Sequence, residues 1–118
     1  MVAASGLGSG LEETTEMITL CIRYTIDQNQ YRNFEEYVCA LPEPIRRSGG
    51  ELVGYFLPTK LAGPTNTALA LINFSSLDAY EKYREAFGAD AAAVAGVAAV
   101  EKSGCILCED RSFLRRIV

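Results

Sequence analysis

The sequence predicts an α+β fold of the ferredoxin-like kind, a β-α-β-β-α-β chain forming an antiparallel sheet with its helices on one face. Three observations predict it. Residues 18–26 alternate apolar and polar at the period of a strand, two later stretches carry apolar residues at helical spacing, and the elements follow in the order strand, helix, strand, strand, helix, strand. A chain of 118 residues, 49% hydrophobic, fills one core and leaves too little interior for a second.

Each element has its local reason. Ile18, Leu20, Ile22, Tyr24 and Ile26 form one side of the first strand. Residues 27–29 supply helix-start signals, and Tyr31, Phe34, Tyr37, Val38 and Leu41 then trace a helical stripe that Pro42 and Pro44 interrupt. One more turn over residues 45–48 ends at Gly49-Gly50, where a chain reversal is cheap, and residues 52–57 read as the second strand. A loop rich in Pro, Gly and Asn over 58–66 returns the chain into a buried strand over 67–74. Ser75 to Asp78 resembles a capping box with Asp in the Glu position, and Leu77, Tyr80, Tyr83, Arg84 and Phe87 lie along the next helix. Asp90 is placed to cap an alanine-rich helical segment from Ala91 to Val100. Residues 105–110 read as the fourth strand, followed by an extended tail.

Strict alternation puts Leu20, Leu52, Phe56, Ile72 and Phe74 beneath the helices, and Val53, Tyr55, Leu57, Leu69 and Leu71 on the other side. That second apolar face predicts a homodimer joined through the sheet.

The formal charge is −4, but Glu12, Glu13 and Glu16 lie in the leader, which leaves 12 acids against 11 bases from Met17 onward. A nearly neutral body offers no footprint for a phosphate backbone, so no nucleic-acid partner is expected. The leader, residues 1–16, is rich in Gly, Ala and Ser and reads as a flexible segment ahead of a single domain over 17–118, with no secretory or Arg-rich transit pattern. The longest apolar run, Ala91 to Val100, is about half the ~20 residues of a membrane span, so no membrane partner and a cytoplasmic location are expected.

Four cysteines raise the question of a metal or redox site. Cys105 and Cys108 have C-x-x-C spacing, but residues three apart in a strand face opposite ways and no helix follows to activate a thiol. All four read as reduced packing residues, and neither metal nor cofactor is expected. The chain has no His and no Trp, which removes Ser-His and Cys-His nucleophilic pairs, imidazole metal sites and imidazole acid–base work.

Three blocks stand out together: Gly49-Gly50-x-Leu52-Val53-Gly54-Tyr55-Phe56-x-Pro58, Leu77-x-x-Tyr80-Glu81-x-Tyr83-Arg84, and Phe113-Leu114-Arg115. In combination they resemble the NIPSNAP family of the dimeric α/β-barrel superfamily, over roughly residues 17–115. The resemblance implies a ferredoxin-like subunit whose sheet packs on its twin. It implies no settled reaction, and the chain is similar in size to stand-alone bacterial members rather than to the mitochondrial animal ones. The superfamily's cofactor-free oxygenases, isomerases and heme enzymes are an analogy of fold.

For a binding site, Tyr24, Tyr55 and Asn73 come from three strands, and Arg23, Arg46 and Arg47 sit near strand or helix ends. Aromatic walls with a cationic rim suit a small, partly apolar organic anion or a phenolic or quinone-like molecule. By alternation, Tyr24 and Tyr55 need not share a face. The competing reading makes the tyrosines packed core and pairs the arginines with Glu43 and Glu51. Glu35, Glu36, Glu81 and Glu85 read as solvated helix edges, Tyr80 and Tyr83 as core-to-rim anchors, and Arg111, Arg115 and Arg116 as a basic tail nearly neutralised by Glu109 and Asp110. The leading expectation is a dimeric protein that binds a small organic ligand between sheet and helices. The alternatives are a cofactor-independent monooxygenase or isomerase acting on an aromatic or polyketide-like substrate, and a non-catalytic interaction module.

Overall fold

A computed structural model describes residues 17–118; the expected flexible leader lies outside the described residues. The elements are β1 (Ile18–Ile26), a 3-10 turn (Gln28–Gln30), α1 (Tyr31–Ala40), α2 (Pro42–Arg47), β2 (Glu51–Phe56), β3 (Thr67–Phe74), α3 (Leu77–Ala89), α4 (Ala91–Ser103) and β4 (Ile106–Leu114). The strands form one sheet in the order β2-β3-β1-β4, and every neighbouring pair is antiparallel. This is the ferredoxin-like order.

The core lies between the helices and one sheet face. Leu20, Ile22, Tyr24 and Ile26 of β1 and Ala68, Ala70, Ile72 and Phe74 of β3 are buried there with Phe34, Val38, Leu41, Ile45 and Tyr83 from the helices. Alanines at 68 and 70 leave room for rings above them, and Tyr24 packs edge-on to Phe34 at a centroid distance of 5.1 Å. The paired glycines divide two tasks. Gly49 adopts φ +108°, which side chains resist, while at Gly50 a Cβ would stand 3.0 Å from the methyls of Ile45 and Ile72.

Helix starts follow their caps. Ser76 Oγ accepts from Ala79 N at 3.0 Å, so the cap of α3 is Ser76 rather than Ser75. Asp90 caps α4 as expected, accepting from Ala93 N at 3.1 Å. Pro42 occupies the first turn of α2, where its missing N–H costs nothing, so the second proline-containing turn is helical from its start.

Two bulges correct the strict alternation. Between Leu52 and Gly54 the β2–β3 register shifts by one residue, so Leu52 pairs with Ile72 and Tyr55 with Ala70, both on the helix side. Tyr55 and Leu57 therefore pack against the core, and Phe56, opposite Leu69, is on the open face with its ring over Gly54. The β1–β4 register shifts between Thr25 and Ile26, where Ile26 pairs with Ile106 and Thr25 with Cys108. Beyond it Glu109 lies across from Tyr24, Arg111 from Ile22 and Phe113 from Leu20, all on the helix side. The expected tail after residue 110 is strand as far as Leu114, because β1 is long enough to pair with all of it.

Candidate functional site

The bulges bring to one side of the sheet a set of polar groups that alternation would have scattered. Tyr24 on β1 and Tyr55 on β2 stack with ring centroids 6.3 Å apart, and their hydroxyls interact with each other. Tyr37 reaches in from α1, its ring 6.2 Å from Phe34 and against Gly96 of α4. Tyr83 descends from α3, 4.8 Å from Phe74 and 5.4 Å from Phe87. Tyr80, one turn earlier, meets Phe113 of β4 edge-on at 4.9 Å.

Burial keeps Tyr24, Tyr37, Tyr55 and Tyr83 un-ionised. Loss of solvent is the main cause that pushes Tyr24, Tyr55 and Tyr83 well above the ordinary phenol value, and it moves Tyr37 up to about 12. The tyrosines are therefore hydroxyls, able to donate and accept, rather than bases at neutral pH.

At the rim, on the edge strand, lies an ion pair. Arg111 Nε donates to Glu109 Oε2 at 2.6 Å, with the two side chains 52% and 32% exposed. Burial pulls the guanidinium down, but Glu109 more than offsets it, so Arg111 stays charged. Its charge is felt by Tyr24, Tyr37 and Tyr83, and its field is opposed at Tyr24 and Tyr37 by that of Glu109.

Between α3 and α4, which meet at Asp90, lies an open cleft of about 290 Å³, lined by Phe87, Gly88, Ala93, Val94, Val97, Ala98 and Glu101. Its wall residue Phe87 stacks on Tyr83, and Glu101 lies within electrostatic reach of Tyr37. The apex is braced by Arg47, which grips Asp90 with Nε–Oδ2 and Nη2–Oδ1 distances of 2.8 and 2.9 Å. This fork holds Asp90 at about 2, well below the usual carboxylate range.

Of the six residues singled out in the sequence, Tyr24 and Tyr55 come together and the others do not join them. Asn73 is on the open face, where its Oδ1 accepts from Thr19 Oγ1 at 2.6 Å. Arg23 is exposed on the same face, opposite Leu69 and Asp110. Arg46 pairs with Glu43 on the surface of α2, and Arg47 braces the cleft apex from outside. The residues that reasoning missed are Tyr37, Glu109 and Arg111, together with Tyr83 in its polar role. Glu109, Arg111 and Phe113 carried a signal, since residues two apart in a strand share a face and a charged pair aligned with a phenylalanine is unusual for a solvated edge.

Among the described residues no cluster of His, Cys, Asp or Glu is arranged to hold a metal ion, and no helix is long and apolar enough to cross a membrane. Cys105 is buried at the entry to β4 while Cys108 is exposed on it.

No curated protein sequence matches the chain. Solved structures do. A NIPSNAP family protein of unknown function from Agrobacterium tumefaciens is 22% identical with a TM-score of 0.74, covering 86% of this chain and 89% of its own. A NIPSNAP-like domain protein from Burkholderia xenovorans is 22% identical with a TM-score of 0.69, covering 87% of each. SnoaB, a cofactor-independent oxygenase from Streptomyces nogalater, is 14% identical with a TM-score of 0.62, covering 87% of this chain and 95% of its own. At these identities the structures establish the shared fold, and the family model for NIPSNAP matches residues 19–118, nearly the whole described chain. The chain belongs to the NIPSNAP family.

Proposed function

We propose that this protein binds a small, largely apolar aromatic molecule between its sheet and helices, entering through the α3–α4 cleft, and does so as a homodimer joined through the open sheet face. The cleft carries the reading. At about 290 Å³ it is near the lower end of small-molecule sites, its walls are Phe87, Val94 and Val97, and its polar groups are few. The homodimer is supported by the open face, where Phe56, opposite Leu69, and Leu114, opposite Thr19, are each nearly half exposed.

The test is uptake of 1-methoxynaphthalene, followed by intrinsic tyrosine fluorescence, in the native protein and in Val97→Trp, which fills the cleft. Binding by the first and not the second is expected. Equal binding, or none by either, overturns the proposal, and the latter favours a non-catalytic interaction module.

A second reading, a cofactor-independent oxygenase or isomerase, has one observation in its favour beyond the SnoaB likeness of fold: an ionisable carboxylate, Glu109, stands beside the tyrosines with a guanidinium against it. Dioxygen uptake with a hydroxylated aromatic substrate, abolished in Glu109→Gln, is its expected outcome.

A further inference from the structure

We infer that the outer edge of β4 is a contact surface for the β4 of a second copy of this chain, the two strands pairing antiparallel about Asp110 into one continuous sheet; this goes beyond the cleft and open-face readings above and stands without either. The sheet has two outer strands, and they are finished differently. β2 has six residues and a bulge between Leu52 and Gly54, a common way of blunting an edge. β4 has nine, pairs with β1 without a break from Cys108 to Leu114, contains neither Pro nor Lys, and presents on its outer side N–H and C=O groups that meet no strand among the described residues. Every residue of it after Ile106 is exposed, Leu107 by 63% and Phe113 by 46%. A long, regular, partly apolar free edge is a template for another strand.

Symmetry and charge choose the partner and the register. Two copies joined edge to edge by antiparallel strands are related by a two-fold axis perpendicular to the sheet, so helix side continues into helix side and residues opposite each other share a face. The axis must then pass through a residue and not between two. With the axis at Asp110, Glu109 is opposite Arg111 of the second copy and Arg111 opposite its Glu109, while Cys108 meets Ser112 and Leu107 meets Phe113. The four charges form an alternating square. Each carboxylate has one guanidinium beside it on its own strand, as Arg111 Nε already donates to Glu109 Oε2 at 2.6 Å, and another across from it. An axis at Glu109 or Arg111 would set like charges against each other, and one at Cys108 or Ser112 would set charged residues against Leu107 and Ile106 or against Phe113 and Leu114. The one like pair left by the Asp110 axis is that of the two Asp110 carboxylates, and each of these has Arg23 across from it on β1. An unrelated strand would have to reproduce this order of charges, whereas a second copy carries it by symmetry.

One strand a side is a small contact of the weak, transient class, so the test is sedimentation equilibrium at protein concentrations on the order of hundreds of micromolar. Every chain used carries Leu71→Glu, which puts a carboxylate at the centre of the open face and leaves the β4 edge as the contact measured. This parent is expected to dimerise. Glu109→Arg and Arg111→Glu should each raise its dissociation constant at least about tenfold, because both opposed pairs turn from attraction to repulsion. An equimolar mixture of the two should associate as tightly as the parent, since each chain then offers the charge that the other lacks. The double variant with Glu109→Arg and Arg111→Glu on one chain should do the same. Rescue on mixing requires folded strands, so destabilisation cannot imitate it. A parent that remains a single subunit, charge reversals without effect, or no rescue in the mixture and in the double variant overturns the proposal and leaves the cleft and the open-face readings standing.

Discussion

The two faces of the sheet are built on opposite terms. Under the helices lie the rings of Tyr24, Phe74 and Tyr55 and, at the β4 edge, one ion pair; the open face carries Thr19, Cys21, Arg23, Leu69, Leu71, Asn73 and Phe56, polar and apolar in alternation with no ring stack. The covered face concentrates hydroxyls in a place where they cannot ionise, and the open face spreads modest hydrophobicity over an area that one more layer would bury. In the proposed function, ligand binding uses the first face and self-association the second. The division depends on two one-residue bulges, because in a strand a shift of one exchanges the faces.

The broadest way to break this division is alkali. Tyr24, Tyr37, Tyr55 and Tyr83 have folded pKa values raised above 10.0 by burial, so their stabilising contribution is intact below pH 10 and is lost as pH rises further, since only the unfolded chain can then release those protons. Each costs about 1.4 kcal/mol by pH 11, and four together approach the net stability of a small domain. Tyrosinate absorbance and far-ultraviolet circular dichroism should therefore change together near pH 11, in one cooperative step. A graded absorbance rise with the fold intact would show that these hydroxyls are in contact with water and that the covered face is not closed.

Phe34→Ala should come next. Phe34 is fully buried between Tyr24 and Tyr37, and removing its ring costs about 3–5 kcal/mol through lost transfer energy and the cavity left behind. Urea unfolding should show a midpoint lowered accordingly. The same loss opens space beside Tyr24, so a loss below 1 kcal/mol would mean that α1 closes down on the sheet and that the tyrosine group is looser than its packing indicates.

How far the sequence revealed these two faces depends on where its periodicity was unbroken. β1 and β3 alternate cleanly, their pairing leaves no freedom, and Leu20, Ile72 and Phe74 are where their period puts them. β2 and β4 each contain one residue too many for that rule. Gly54 inside a strand is the usual mark of a bulge and would have moved Tyr55 beside Tyr24. Nothing comparable marks Leu107, since two apolar residues in a row fit a buried strand as well as a bulge. Hence the fold was readable and half of the tyrosine pair was misplaced, while Glu109 and Arg111 looked like a solvated tail. Arg47 shows a different limit, because its partner Asp90 is 43 positions away and no local pattern links them.

Leu71→Glu sharpens the comparison from the other side. Leu71 lies at the centre of the open face, paired with Cys21 and Gly54, and is only partly covered in the single chain. A carboxylate there should leave the urea midpoint of the subunit nearly unchanged and weaken self-association at least about tenfold, since an unpaired charge in an interface costs more than the hydrophobic contact it replaces. Sedimentation velocity at micromolar concentration reads this directly. A native protein that sediments as a single subunit would remove the homodimer from the proposal, and the open face would then need another cover.

The smallest effect is expected at the brace outside both faces. Asp90 has a folded pKa of about 2 against an ordinary 3.8, lowered first by the hydrogen bonds from Arg47 and then by the N–H of Ala93. A depressed carboxylate contributes stability above its unfolded pKa and loses it as pH falls through the folded value, so the contribution should fade between about pH 4 and pH 2. The pair is on the surface, where water and salt screen most of the attraction, and its removal should shift the acid midpoint only slightly. Asp90→Asn keeps a capping oxygen for Ala93 and gives up the charge together with one of the two oxygens that accept from Arg47. That variant should lose the pH dependence in this window while α4 keeps its start, and it should widen the α3–α4 cleft enough to weaken 1-methoxynaphthalene uptake. Unchanged uptake would mean that the cleft holds its shape without Arg47, and that the helices rather than their junction define the site.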